Sequence, residues 1–214
     1  MTNLQKRILT SIIILPLSIF FIVKGGKLLT FFLIFVLFAG IHELYTVFKK
    51  KKSILFLSSI LILSIVAIYY LRENSEVFLY WALVVAITSD IGGYVFGKIF
   101  KWKKLTKISP KKTISGVFGS YFFSILCWTI FLETYYQNYL GVDVAISFRI
   151  LLITIIFSTT AQIGDLTISY FKRLEKIKDT GKILPGHGGI FDRIDGLMFV
   201  VILAFVLIKL NIIP

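Results

Sequence analysis

The chain has 214 residues, of which 57% are hydrophobic and only 16% are charged, and its mean hydropathy is +0.88. Soluble domains average roughly 45–50% apolar and about 25% charged residues, so the composition excludes an ordinary soluble enzyme and indicates an integral membrane protein. A net charge of +13 would suggest nucleic-acid binding in a soluble protein. Here its distribution along the chain favours a membrane surface, and we expect no nucleic-acid partner.

Seven apolar runs predict the helices. A membrane-spanning helix needs about 20 mostly apolar residues, and the runs reach that length when they are extended through flanks where Lys and Arg can snorkel. We therefore predict an all-α, polytopic transmembrane bundle of about seven spans, formed as a single membrane domain of residues 1–214. In chain order the runs are Ile8–Val23, Leu28–Ile41, Ile54–Leu71, Val77–Phe100, Thr113–Leu132, Ile150–Gly164 and Gly196–Ile208.

The basic residues predict the orientation of the bundle. With the N-terminus placed in the cytoplasm, 19 of the 24 Lys and Arg residues fall on the cytoplasmic side. This positive-inside bias predicts a multi-pass protein of the inner (plasma) membrane with a cytoplasmic N-terminus. Cys127 is the only cysteine, so we expect neither a disulfide nor a cysteine metal cluster.

The N-terminal spans, within residues 1–76, carry few chemically specific residues. We interpret Lys49–Lys52 as a topology anchor that anionic lipid attracts. Glu43 follows His42 in the second predicted span. It lacks the alternating acids and bases that accompany the aspartates described below, and we interpret it as structural. Residues 77–214 hold the other polar motifs and are the predicted catalytic part.

Four carboxylates interrupt apolar runs or their cytoplasmic ends: Asp90, Asp165, Asp192 and Asp195. An acidic side chain at the bilayer centre costs about 2.5–3.5 kcal/mol, so it usually faces a cavity or a partner. Asp165 shares one predicted helix face with Ser169 and Lys172, and Asp192 shares another with Asp195. Each aspartate taken alone could equally be an intramembrane ion-pair partner, and Asp192 could be a helix N-cap.

Basic residues surround these acids on two cytoplasmic loops. Their natural ligand is a polyanion, and phosphate is the obvious candidate. Bare aspartates would repel phosphate, so the mixture predicts a hard cation such as Mg²⁺, with a second cation as an open alternative. The residues concerned are Lys172, Arg173, Lys176, Lys178 and Arg193 on one loop, and Lys111 and Lys112 on the other.

Two shorter segments admit both a structural and a binding interpretation. Glycines in Leu184–Gly189 allow backbone N–H groups to approach an anion, but they also suit a plain turn, and His187 could contact substrate or be structural. In Ser109–Gly116, Pro110 suits a helix start, and hydroxyls are available for caps or phosphate contacts; we expect Ser109 to act as a cap. Small residues at Ser89, Gly93 and Gly97, and at Gly116 and Ser120, are typical of helix packing.

These residues resemble the phosphatidate cytidylyltransferase (CDP-diacylglycerol synthase) family. The family signature is matched over a long stretch by Ser169, Lys172, Arg173, Lys178, Asp179, Gly181, Pro185, His187, Gly188, Gly189, Asp192, Arg193 and Asp195. Three further blocks fit as well: Ser89-Asp90 with Tyr94 and Gly97, Ser109–Thr113, and Gly164-Asp165. The resemblance covers roughly residues 80–200, and it departs at Ser115, where family members commonly carry Glu.

The resemblance implies that CTP and phosphatidic acid react to give CDP-diacylglycerol and pyrophosphate, with a divalent cation, in phospholipid biosynthesis. It implies that Asp165 and Asp192 bind the metal, supported by Asp195 and Asp90, and that Lys172, Arg173 and Arg193 neutralise the phosphates. The implied substrate-binding residues are Ser109, Lys111, Lys112, Thr113, Lys178, His187, Gly188 and Gly189. The expected partners are CTP, phosphatidic acid and the lipid bilayer, with a homodimer as an open alternative.

Two other functions are consistent with parts of this pattern. A CTP-dependent polyprenol kinase would transfer the γ-phosphoryl group of CTP and release CDP. An ion or phosphate transporter would distribute its charged residues across the membrane depth or between two repeats. The charges here cluster toward the predicted cytoplasmic face and no internal repeat is visible, so the pattern favours an enzyme.

Overall fold

The computed structural model describes residues 3–135, 147–181, 183–184 and 188–212, and for residues 3–9 and 11 it describes the backbone alone. The regular secondary structure of these parts is helical, apart from isolated β-bridges that pair Lys104 with Thr113 and Leu184 with Gly188. The helices are α1 (Asn3–Lys24), α2 (Gly26–Val47), α3 (Lys51–Asn74), α4 (Glu76–Phe100), α5 (Ile114–Tyr135), α6 (Phe148–Leu174) and α7 (Phe191–Lys209).

Each predicted apolar run coincides with one of these helices, except that Thr113 precedes the start of α5, so the all-helical prediction is confirmed. Within the described residues, five helices, α2 to α6, are long and apolar enough to cross a membrane. In α1 the apolar part whose side chains are described is shorter and covers Ile12–Lys24. Helix α7 begins with a charged segment that holds Asp192, Arg193 and Asp195, so its apolar part is shorter as well. With this hydropathy the helices form a multi-pass membrane protein.

Short turns connect the first four helices. Gly25 joins α1 to α2 at φ 64°, a conformation that glycine adopts without steric cost. Arg72, in the last turn of α3, reaches across and donates to the carbonyl oxygens of Ile22 and Val23, each at 2.8 Å. Because those carbonyls lack partners within the end of α1, this contact holds the C-terminus of α1 against α3.

Glycines allow α4 and α5 to pack at close range. A Cβ atom on Gly92 or on Gly119 would overlap with the carbonyl oxygen of the other residue. A Cβ on Gly93 would lie 2.9 Å from Ser120 Oγ, and a Cβ on Gly116 would lie 2.8 Å from the carbonyl oxygen of Gly93. The interpretation of Gly93, Gly116 and Ser120 as packing positions is confirmed, and Gly92 and Gly119 are packing positions that it did not name. The close approach places the first turns of α5 beside Asp90.

A buried apolar cluster supports the start of α7. It joins residues of α2, α3, α6 and α7, together with Phe48 from the α2–α3 turn, and several of its side chains are fully inaccessible to solvent. Its members are Leu44, Phe48, Leu57, Leu61, Ile168, Phe191 and Met198. The first turn of α7, which also holds Asp192 and Arg193, is therefore anchored in the bundle by Phe191.

The α2–α3, α4–α5 and α6–α7 connections meet at one end of the bundle. The Glu175 carboxylate accepts hydrogen bonds from the backbone N–H groups of Lys49 and Lys50, at 3.2 and 3.1 Å. Lys50 Nζ donates to the carbonyl oxygen of Leu174 at 3.0 Å, and Arg173 Nε donates to that of Ile108 at 3.5 Å. The basic residues of three connections, far apart in sequence, thus share one face.

Candidate functional site

A cavity of about 290 Å³ opens at this basic end of the bundle, between α4, α5, α6, α7 and the α4–α5 connection. This volume lies near the lower limit of small-molecule sites, roughly 300–1,000 Å³. The side chains that carry charge around it are Asp90, Asp165, Asp192, Asp195, Lys111 and Lys112. The structure therefore brings together all four aspartates that the sequence singled out.

Asp165 is neutralised by a lysine from the α4–α5 connection. Its Oδ2 atom lies 2.6 Å from Lys112 Nζ, which also donates to the carbonyl oxygen of Gln162 at 3.2 Å. Its Oδ1 atom accepts from Ser169 Oγ at 3.3 Å, one helical turn further along α6. The predicted common face of Asp165 and Ser169 is therefore present, and the ion pair connects α6 to the second basic segment.

Asp192 is engaged by three donors of the protein itself. Its Oδ1 atom lies 2.7 Å from Lys172 Nζ, and its Oδ2 atom accepts from the N–H groups of Thr180 and Gly189, at 2.8 and 3.1 Å. The two charged side chains are only 11% and 8% exposed, so water screens the pair weakly. Asp192 thus holds the α6–α7 connection in place. The alternative that it is a helix N-cap is wrong, because α7 begins at Phe191 with Ile190 at the N-cap and Asp192 lies within the first turn.

Asp90, Asp165 and Asp195 form the acidic wall of the cavity, close enough to one another to interact electrostatically. Asp195 Oδ1 accepts from the N–H of Gly196 at 2.9 Å, and Lys112 and Arg193 lie close enough to Asp90 to attract it. In the described part of the chain, no three His, Cys, Asp or Glu side chains form a preassembled metal cluster. One or two of these carboxylates would still fit Mg²⁺, which usually takes that number from the protein and completes its shell with water and substrate phosphates.

The α4–α5 connection folds differently from the sequence interpretation. Pro110 lies in a turn closed by Lys112 N–H donating to the carbonyl oxygen of Ser109 at 3.0 Å, and α5 begins only at Ile114. The expectation that Ser109 caps this helix is wrong, because Ser109 lies too far before Ile114. Thr113, directly before the helix, is the cap, and its Oγ1 accepts from Gly116 N–H at 3.1 Å. The turn nevertheless directs Ser109, Lys111, Lys112 and Thr113 toward the cavity.

Ser115, which stands where the resemblance would place Glu, is buried at 2% exposure. Its hydroxyl lies 3.0 Å from Thr113 Oγ1, in the first turn of α5. At this position the chain therefore supplies a neutral hydroxyl pair beside the cavity and no carboxylate.

The glycines of the α6–α7 connection lie against carboxylates. Gly188 has φ 85°, and a Cβ atom there would lie 2.7 Å from Asp192 Oδ2, so both conformation and space favour glycine. The N–H of Gly189 is occupied by Asp192, whereas the sequence interpretation offered it to a bound anion. The prediction for His187, like the positions of Lys182, Pro185 and Gly186, lies outside the described residues.

The remaining predicted basic residues occupy different places around the site. Arg173 joins the two basic connections, since it donates to the carbonyl oxygens of Ile177 at 3.1 Å and Ile108 at 3.5 Å. Lys111, Lys178 and Arg193 are exposed at this end of the bundle. A polyanion that entered the cavity would meet exposed cations at its rim and paired cations at its base.

Glu43 is a residue of this region that the sequence interpretation missed. It lies on α2 with 1% exposure, and its carboxylate accepts from the N–H groups of Ile190 at 2.7 Å and Phe191 at 3.3 Å. The expectation that Glu43 lies apart from the residues of this region is therefore wrong. Its hydrogen-bond partners are backbone N–H groups, which agrees with the interpretation of Glu43 as structural. The usable signal was a carboxylate inside an apolar run, which needs a partner to be tolerated.

Comparisons with known proteins agree with the resemblance noted in the sequence. The model of the family described as "Cytidylyltransferase family" matches residues 53–211. A phosphatidate cytidylyltransferase of Staphylococcus epidermidis is 38% identical over 172 residues, which cover 77% of this chain and 64% of the relative. One of Staphylococcus aureus is 41% identical over 142 residues, covering 65% and 52%. The chain thus spans about half to two thirds of the length of these relatives.

Proposed function

The chain belongs to the cytidylyltransferase family, and from that premise we propose that it is a phosphatidate cytidylyltransferase that converts CTP and phosphatidic acid into CDP-diacylglycerol and pyrophosphate. The observation that carries the proposal is the cavity at the basic end of the bundle, where four aspartates and two lysines from separate segments converge. Mixed acids and bases of this kind suit phosphates that are bound together with a hard cation.

In the proposed reaction a phosphate oxygen of phosphatidic acid attacks the α-phosphorus of CTP, and pyrophosphate leaves in line. Both reactants are anions, so the protein must mainly neutralise charge and position the groups, and it needs no nucleophile of its own. We assign charge neutralisation to Lys111 and Lys112 on the α4–α5 turn and to Arg193 at the start of α7. Lys172 would contribute its charge from within the pair with Asp192.

We propose that one or two carboxylates of the set Asp90, Asp165 and Asp195 hold Mg²⁺, because all three line the cavity and lie within electrostatic range of one another. When bound, the cation would supply positive charge against the phosphate oxygens. Asp192 is the less suitable ligand, since its oxygens accept from three donors of the protein, Lys172, Thr180 and Gly189. The oxygens of Asp165 accept from two side chains, Lys112 and Ser169, and the Ser169 contact is a long one of 3.3 Å. A second cation stays a prediction.

The proposed orientation places the cavity at the cytoplasmic face. The loops that meet at this end carry most of the basic residues, in accord with seven spans and a cytoplasmic N-terminus. The acyl chains would stay in the bilayer while the headgroup enters the cavity. In a cysteine-free variant, Lys107→Cys should react with a membrane-impermeant maleimide only from the cytoplasmic side, and Glu73→Cys only from the other. The reverse pattern would contradict the orientation. A homodimer stays a prediction.

The test of the activity uses purified protein in mixed micelles with phosphatidic acid, Mg²⁺ and CTP labelled at either the α- or the γ-phosphate. We expect the α label in the lipid fraction and one pyrophosphate released for each liponucleotide formed. Excess EDTA should abolish the product. Lipid that carries the γ label would instead identify a CTP-dependent lipid kinase, and lipid without either label would contradict both enzymes.

A further inference from the structure

Glu43 occupies an unusual position for a carboxylate. It lies on α2, outside the residues that match the family model, and only 1% of its surface is exposed. Leaving such a group without hydrogen bonds in an apolar bundle would be costly, so its partners show what it does. Those partners are the Ile190 and Phe191 N–H groups, 147 and 148 residues later in the chain.

The contact caps α7 from another helix. The first N–H groups of a helix have no acceptor within it, and the N-cap residue Ile190 makes no side-chain cap bond. Glu43 supplies the missing acceptors, at 2.7 Å for Ile190 and 3.3 Å for Phe191, and its negative charge faces the positive end of the helix dipole. This end of α7 is thereby occupied by a side chain of the protein.

Two signature glycines fit around the same side chain. A Cβ atom on Gly181 would lie 2.9 Å from Glu43 Cγ, and one on Gly189 would overlap with Glu43 Oε1 and with Thr180 Oγ1. Gly189 also donates its N–H to Asp192, so its peptide is held between two carboxylates. The absence of a side chain at these positions is thus explained by the close approach of Glu43.

From these contacts we infer that Glu43 is a positioning residue for the site, which acts through Asp192 and the glycines of the α6–α7 connection. Asp192 follows directly after the two residues that Glu43 holds, and Asp192 in turn binds Lys172. A displacement of the first turn of α7 would therefore move Asp192, Lys172 and Asp195 together. The inference rests on the proposed function for its catalytic consequence, but the anchoring itself can be measured without any substrate.

The experiment compares Glu43→Gln with the wild type in hydrogen–deuterium exchange and in liponucleotide synthesis. Gln keeps the length of the side chain, but it offers one acceptor where two N–H groups need one each. We expect exchange at residues 189–193 to rise by about tenfold, with little change elsewhere in the bundle. We also expect kcat to fall by about 10²-fold while KM for phosphatidic acid stays within about threefold, because misplacement affects turnover more than headgroup binding.

Glu76→Gln is the matched control. This carboxylate pairs with Arg72 at the first residue of α4. The cavity lies toward the other end of α4, where Lys101 begins the connection to α5. Glu76→Gln should leave exchange at residues 189–193 and turnover unchanged. If Glu43→Gln does not yield monodisperse protein, Glu43→Asp is compared with the wild type in the same way. Asp keeps both acceptor oxygens on a shorter side chain, so exchange at residues 189–193 should rise above the wild-type rate by less than about tenfold.

Unchanged exchange at residues 189–193 in the variant that folds would overturn the inference, as would a uniform rise over the whole bundle with kcat unchanged. If the wild-type protein makes no liponucleotide, the proposed function fails, while the exchange comparison still decides whether Glu43 anchors α7.

Discussion

Replacing Asp192 and Asp165 in turn by Asn should separate the carboxylate that stabilises the fold from the one proposed to hold the cation. Both variants should lose liponucleotide synthesis, but for different reasons. Asp192→Asn removes the counter-charge of Lys172, whose side chain is only 11% exposed, and leaves a single carbonyl oxygen for three donors. Asp165→Asn removes the counter-charge of Lys112, which is 22% exposed and keeps the carbonyl oxygen of Gln162 as a partner.

The burial of the two pairs sets the magnitudes. Breaking a buried ion pair on one side costs about 3–5 kcal/mol, and we take about 3 kcal/mol for Asp192→Asn because the pair retains a little solvent contact. Ion pairs with more solvent contact contribute about 0–1 kcal/mol, so Asp165→Asn should cost about 1 kcal/mol. For a chain of this size each kcal/mol moves Tm by about 2–4 °C, which predicts a difference of about 4–8 °C between the variants.

The assay is thermal unfolding of both detergent-solubilised variants, followed by far-UV circular dichroism, together with the labelled-CTP assay. Ser59→Ala, whose hydroxyl only bonds the carbonyl oxygen of Phe56 on an exposed face, serves as the control and should match the wild type. Equal Tm values for Asp192→Asn and Asp165→Asn would refute the argument from burial. Full activity in Asp165→Asn would remove that residue from the proposed cation site.

Further changes test the cavity and the helix packing. Lys112→Met keeps the apolar stem but removes the charge beside Asp165, and we expect turnover to fall by about 10²-fold in the micellar assay; activity within twofold of the wild type would contradict the assignment. Gly119→Leu forces a side chain into the carbonyl group of Gly92, so Tm should fall by more than about 4 °C, whereas Phe118→Leu on the exposed face should leave Tm nearly unchanged.

The sequence was informative wherever one residue type has one energetically acceptable environment. Long apolar runs can satisfy their backbone groups in a bilayer only as helices, and each of the seven predicted runs coincides with a helix, apart from Thr113 at the start of the fifth run. Carboxylates in apolar runs are too costly to leave without partners, and Asp90, Asp165, Asp192 and Asp195 indeed meet at one cavity. These conclusions required no knowledge of how the helices pack.

Local signals were less reliable where two nearby residues compete for one task. Ser109 and Thr113 both carry a hydroxyl that could cap a helix, and Pro110 suits either a helix start or a turn. The turn forms because Lys112 N–H closes it on Ser109, which moves the start of α5 to Ile114 and leaves the cap to Thr113. Spacing along the chain could not rank these alternatives.

Only the tertiary structure decided which partner each charged residue takes. The composition and the order of the residues were enough to predict a helical membrane protein with a basic face and acidic residues near it. Hydropathy and charge act through the solvent and the membrane, so these predictions need no specific neighbouring residue. The pairing of Lys172 with Asp192, of Lys112 with Asp165, and of Glu43 with the start of α7 depends on distances between segments up to 148 residues apart. Hydrogen bonds and ion pairs act over a few ångströms, so those choices are made by the packing of the helices.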